Sequence, residues 1–300
     1  MKKLGIFITC SIALCGCNSN DIKYDATGTF EATEVTVSAE ENGRIEWLKA
    51  DEGSSVTVNL SMGQLDTTQL FLKRCQLQTN RKAVISKRPD YNKQIAALEQ
   101  EIATAEKEQN RVSNLLKDGA ANRKQLDDWD AKVKLLKRQL TALQSNLRND
   151  LNSISEQGDA VTIEVAQVND RLRKCHIQAP ITGKVLARYA EAGEYATIGK
   201  PLFKLADMQN IFLRAYITSL QLNQVKVGDR VTVYADYGDD TRQKYNGTVE
   251  WIADNAEFTP KNILTKDERA NQVYAVKIAV KNDGKIKLGM YGGVLLTPPQ

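Results

Sequence analysis

The residues that could carry chemistry are few. His176 is the only histidine in the 300-residue chain, which excludes a multi-histidine metal site and leaves a Ser-His-Asp arrangement without its usual nucleophile context. It follows Cys175, but neighbours on a strand point to opposite faces and cannot share one ion. His176 is therefore read as a structural residue at a strand start. The acidic pairs Asp127-Asp128 and Asp239-Asp240 fall on a helix surface and in a turn, where water solvates them. No strand leads into a Gly-x-x-x-x-Gly-Lys-Ser/Thr run, so a phosphate loop is not expected. These patterns predict no enzyme, no metal and no cofactor, and any energy must come from a partner.

The clearest chemical signal is at the start. Met1-Lys2-Lys3 precedes an apolar stretch, Leu4 to Leu14, too short to cross a bilayer as a mature helix, and the whole reads as a secretory signal. It ends Leu14-Cys15-Gly16-Cys17, which resembles the bacterial lipobox, so Cys17 is the expected lipid anchor. Acylation holds a protein on a membrane without a spanning segment. Asn18 is not the Asp that often retains such lipoproteins at the inner membrane; that membrane is favoured, and the choice stays open. Removing residues 1–16 takes away Lys2 and Lys3 and no acid, lowering the formal charge from +4 to +2. That near balance argues against a nucleic-acid partner. Cys75 and Cys175 then remain in a compartment that permits disulfides; the expected fold sets them at different heights, which disfavours a bridge, and the pairing stays open.

The middle of the chain must position whatever these residues do. Apolar residues recur at spacings of three and four through Leu126, Trp129, Val133, Leu136, Leu140, Leu143, Leu147, Leu151, Ile154, Val161, Val165, Val168 and Leu172, a heptad seam. The same rhythm runs upstream through Leu70, Leu77, Val84, Tyr91, Ile95, Leu98, Ile102, Ala105, Val112 and Leu116. Between the two runs, Gly119 suits a helix C-cap and Asn122 the next N-cap. Two antiparallel helices are predicted, each arm roughly 75 Å long at 1.5 Å per residue. Pro89 should break or kink the first arm, with Arg88 carrying the seam across the break.

Two β-like stretches flank this region. Gly43-Arg44-Ile45, Gly53 and Gly63 in the first are matched to Gly183-Lys184-Val185, Gly193 and Gly199 in the second, as if one unit were repeated. Neither can bury a core alone. After Met208 come regular short strands, with a capped turn from Thr218 to Val225 and a long loop from Phe258 to Asn271, which suggests a small β-barrel. The predicted fold class is α+β, elongated and multi-module. Its segments are a signal peptide (1–16), an N-terminal tether (17–32), two halves of one β domain (33–67 and 174–208), an α-helical hairpin (68–173) and a barrel (209–300).

This order resembles the HlyD-type periplasmic adaptor, or membrane fusion protein, family over nearly the whole mature chain. The resemblance implies that the two β halves form a biotinyl/lipoyl-like sandwich into which the coiled-coil hairpin is inserted. No Met-Lys-Met-like turn is present, which separates the chain from true lipoyl or biotin carriers. At the hairpin tip, Arg111, Leu115, Asn122 and the Leu126-Asp127 pair match the adaptor motif that meets a TolC-like outer-membrane duct, with Asn122 where the family has Ser. The resemblance further implies an inner-membrane transporter as partner, a homo-oligomer (typically a hexamer) and efflux or secretion as the task. Phe258-Thr259-Pro260-Lys261, Thr265 to Arg269, Val273 to Ile278 and Gly289-Met290 look like adaptors of ABC exporters, the proton-driven RND type being the alternative. The membrane-proximal domain of many relatives is expected to be missing, or reduced to residues 21–34 and the last few. The competing reading is a structural envelope lipoprotein whose coiled coil spaces membranes without transport.

Overall fold

A computed structural model describes residues 23–238, 242–257 and 272–296. The expected signal and Cys17, the Asp239-Asp240 pair and the Phe258–Asn271 loop lie outside the described residues.

The heptad region folds as three helices, α1 (Thr68–Ile85), α2 (Tyr91–Lys117) and α3 (Arg123–Lys174). At 1.5 Å per residue, the 52 residues of α3 span about 78 Å. Leu70 and Leu77 of α1 pack on Val161, Val165, Val168 and Leu172 of α3. Leu98, Ile102 and Ala105 of α2 pack on Trp129, Val133, Leu136 and Leu140. The two shorter helices thus stack end to end along one long antiparallel partner. Pro89 sits in the break as expected: it has no N–H to donate, and Asp90 restarts the helix by accepting the Lys93 N–H at 3.1 Å. Arg88, expected in the seam, is instead exposed in the gap, because the chain there has left the helix and no longer presents a fixed face to α3.

The β strands form two bodies joined by two shared strands. β1 (Ala26–Ser38) and β8 (Pro201–Thr218) run antiparallel for almost their whole length, with a register shift between Ala32 and Glu34. At one end they join β9 (Arg230–Asp236), β10 (Arg242–Ile252), β11 (Val273–Lys281) and β12 (Tyr291–Leu295) in a closed barrel, order β1-β12-β9-β10-β11-β8. The short helix α4 (Ser219–Leu222) follows β8 and starts with a Thr218–Gln221 capping box. Two expected boundaries need correction. Residues 26–32 are not a tether but the strand that closes the barrel, because Ala26 and Phe30 alternate into its core. The division placed between 208 and 209 falls inside β8, which serves both bodies.

The second body contains β2 (Gly43–Leu48), β3 (Ser55–Val56), β4 (Ser61–Leu65), β5 (His176–Gln178), β6 (Gly183–Arg188) and β7 (Tyr195–Ala196), together with the other ends of β1 and β8. Its halves are interlocked: β2 pairs with β7 through Gly43 and Ala196, and β6 pairs with β3 through Gly183 and Val56. Each half lends its two-residue strand to the other. Ile45, Met62 and Leu65 from before the arm share one core with Ile177, Val185, Leu202 and Leu205 from after it. The repeat is real, with one correction. The partner of Gly199 is not Gly63 but Asn59, which takes the same left-handed φ, +63° against +87°, and stands at the same offset as the Gly43/Gly183 and Gly53/Gly193 pairs. Gly63 lies inside β4.

Candidate functional site

The arm closes in a tight turn built from local hydrogen bonds. Gly119, at φ +75°, ends α2: its N–H donates to Leu116 O at 3.2 Å and the Ala120 N–H to Leu115 O at 2.8 Å, a Schellman closure. Asn122 opens α3. Its Oδ1 accepts the Gln125 N–H at 2.9 Å while Gln125 Oε1 accepts the Asn122 N–H at 3.1 Å. The cap was legible in the residue type; its partner Gln125 was missed, although Asn-x-x-Gln has the spacing of a capping box that could have signalled it.

The five predicted tip residues all lie at this closed end. Arg111 is one helical turn from Leu115 on α2, so the two share a face. The Arg111 side chain is 69% exposed and its NH2 contacts Glu108 Oε2 at 2.9 Å. Leu115 is 39% exposed, an apolar side chain held out at the end of a long arm. Asn122 is exposed, with its carbonyl committed to the cap. Leu126 is half-buried, and Asp127 lies 3.4 Å from Arg123. The free surface of the tip is thus a guanidinium beside a leucine, with small residues Gly119, Ala120 and Ala121 between the helices. Such a surface can donate charge-assisted hydrogen bonds and fill a shallow apolar notch on a partner.

The base of the arm is fixed by a contact that the sequence did not announce. Arg171, near the end of α3, donates through Nε to Glu41 Oε2 at 2.7 Å and through NH2 to Oε1 at 3.1 Å, while the Asn42 N–H donates to Oε1 at 3.0 Å. These donors hold the Glu41 carboxyl below the usual range, the Arg171 bond being the largest cause, against its own burial. The partners are 130 positions apart, and nothing local in Glu40-Glu41 signals the pairing. Cys175 follows within the body core, where burial raises its thiol. It is a free cysteine, as is Cys75. His176 beside it is exposed.

An open cleft of about 940 Å³ lies where the two β bodies meet, lined among others by Lys184, Asp207 and Asp283. Its carboxylates are already engaged. Asp207 accepts from the backbone of Gln209 and Asn210, and Asp283 from Tyr245 and the Lys285 N–H. Among the described residues no cluster of three His, Cys, Asp or Glu side chains has metal-site geometry, and no helix is long and apolar enough to cross a membrane.

No protein-family model matches the chain. It is 25% identical over 284 residues to the "UPF0194 membrane protein in asrC 5'region" of Acidithiobacillus ferridurans, spanning 88% of this chain and 83% of that protein. Among solved structures it is similar to MacA from Actinobacillus actinomycetemcomitans, with a TM-score of 0.51 at 21% identity over 90% of this chain and 76% of that one. It is also similar to a MacA–MexA chimera carrying the Pseudomonas aeruginosa MexA α-hairpin domain, with a TM-score of 0.53 at 19% identity, covering 91% and 80%. At these identities what is shared is the fold: the chain has the architecture of MacA.

Proposed function

We propose that the protein is a non-catalytic periplasmic adaptor of the HlyD type, linking an inner-membrane transporter to a TolC-like outer-membrane duct in efflux or secretion. The observation that carries this reading is the arm: α3 spans ~78 Å, and it ends in a capped turn that presents Arg111 and Leu115 rather than in a functional cavity. In this reading Arg111, Leu115, Asn122, Leu126 and Asp127 form the duct contact. The interlocked β body is the lipoyl-like domain, and the arm its coiled-coil insertion. Cys17, acylated, holds the chain on the inner membrane, close to the transporter. The transporter is of the ABC type, with the RND type as alternative, and copies of the chain assemble as a hexamer whose arms line a conduit. A likeness in fold to MacA supports the reading.

The test is co-purification from solubilised envelopes through a tag on this chain. Both a transporter and an outer-membrane channel should be recovered. Arg111→Asp should lose the channel, keep the transporter and leave the melting temperature unchanged. Recovery of the channel in undiminished yield with Arg111→Asp would overturn the tip assignment, and recovery of neither membrane protein would favour a spacer lipoprotein. Cys17→Ser should release the chain to the soluble periplasm.

A further inference from the structure

Gly158 is the only glycine in α3, and glycine inside a helix is destabilising because it loses the most backbone freedom on ordering. Space does not require it. A Cβ built at Gly158 meets Ile85 Cγ1 at 3.7 Å, an ordinary contact, and nothing else within 4 Å. Backbone does not require it either, since Gly158 is not among the residues with positive φ. On the same turn Thr162 Oγ1 donates to Gly158 O at 2.8 Å, a back-bond of the kind that bends helices; Thr79, Thr104 and Thr141 make the same bond elsewhere in the arm, but only here does it fall on a glycine.

The partner of Gly158 gives this position its meaning. Ile85 is the last residue of α1, so the glycine faces the level at which the opposite helix is interrupted. There the Ser86 N–H closes α1 on Lys82 O at 2.9 Å, and the next helical ladder begins only with Gln94 N–H to Asp90 O at 3.3 Å. The apolar seam divides at the same level. One cluster ends at Leu77 and Val161, and the other begins at Leu98 and Leu140. Ile95 and Leu147 are buried between them but belong to neither cluster. Both sides of the arm are thus altered at one height, by a proline break on one and, on the other, a helix-interior glycine whose carbonyl also accepts the Thr162 hydroxyl.

We propose that residues 86–90 and Gly158 form a hinge, about which the outer half of the arm swings against the half rooted in the β body. The lever from Gly158 to Arg123 is roughly 53 Å, so a bend of ~10° would move the tip by ~9 Å. The inference does not depend on what the tip binds. It concerns how far the tip can search while the base stays fixed through Glu41 and Arg171.

The test uses the full chain with spin labels introduced as unnatural amino acids at two pairs of exposed positions. Lys73 and Lys132 lie on opposite sides of the hinge; Lys93 and Lys124 both lie beyond it and serve as an internal ruler. Distance distributions from pulsed electron resonance should be at least twofold wider for the first pair than for the second. Gly158→Ala, whose methyl fits beside Ile85, should narrow the first pair to nearly the ruler's width. Ile85→Ala, which removes the side chain facing the glycine, should widen it. An unchanged ruler shows that each variant has folded. A first pair as narrow as the ruler in the wild-type chain, or a width unmoved by Gly158→Ala, overturns the hinge.

Discussion

In the β body Leu65, Leu202, Phe203 and Leu205 are sealed completely, and their contacts come from chain on both sides of the arm. In the arm even Leu136, the most buried seam residue, keeps 3% of its surface, and Val112 keeps 9%. The body has a three-dimensional core, whereas the arm has a line of contacts one residue deep in which each turn is supported only by its neighbours. A defect in the body should therefore be felt everywhere, and a defect in the arm should stay where it is made. The consequence is a root with a full core carrying a long element whose outer parts can be altered without unfolding the whole.

Substitutions can break or sharpen this contrast. The largest effect is expected for Phe203→Ala, which should cost about 3–5 kcal/mol and lower the urea midpoint of both β bodies together, since Phe203 lies on β8, shared by both. Loss confined to one body would contradict the shared-strand account. Leu136→Ala should cost less, about 2–3 kcal/mol, and hydrogen exchange should rise only in the outer half of the arm.

Between the two regions stands Glu41. Glu41→Gln should cost about 2 kcal/mol by leaving the Arg171 guanidinium without its charged acceptor. Its pH signature has a definite sign. The folded-state value of Glu41 lies below its ordinary one, so the unfolded chain binds the proton more readily. The contribution is complete above the ordinary glutamate value of about 4.3 and is lost as pH falls through the folded value. Melting temperatures of wild type and Glu41→Gln should accordingly converge on acidification from pH 7, and a gap that persists unchanged at pH 3 would refute the pairing's role. The smallest effect belongs to Asn122→Ala, about 1 kcal/mol, seen as faster exchange at residues 123–126 with no change in the β bodies.

The same contrast explains what could be read from the sequence. The arm was legible in its helices, its break and its caps, though not at Arg88, because heptad spacing, Pro89, Gly119 and Asn122 act within one or two turns of themselves. The β body was legible as a repeat but not in detail. Matching Gly63 to Gly199 followed residue identity, whereas the fold conserves a left-handed turn that Asn59 fills as well as glycine does. The opening strand of the barrel was missed although Ala26, Gly28 and Phe30 alternate with Thr27, Thr29 and Glu31, since a stretch that follows an expected signal is easily taken for a tether. The Glu41–Arg171 contact had no local signal. The tip residues were placed by a resemblance, and their geometry adds that Arg111 and Leu115 offer the free surface while Asn122 is occupied as a cap.

The most direct measurement is photo-crosslinking in intact cells from Leu115 at the tip, with Ser54 on the β body as the control position. The adaptor account predicts that Leu115 captures an outer-membrane channel and that Ser54 does not. Capture of peptidoglycan from Leu115, or no capture while the chain is present and folded, would contradict it.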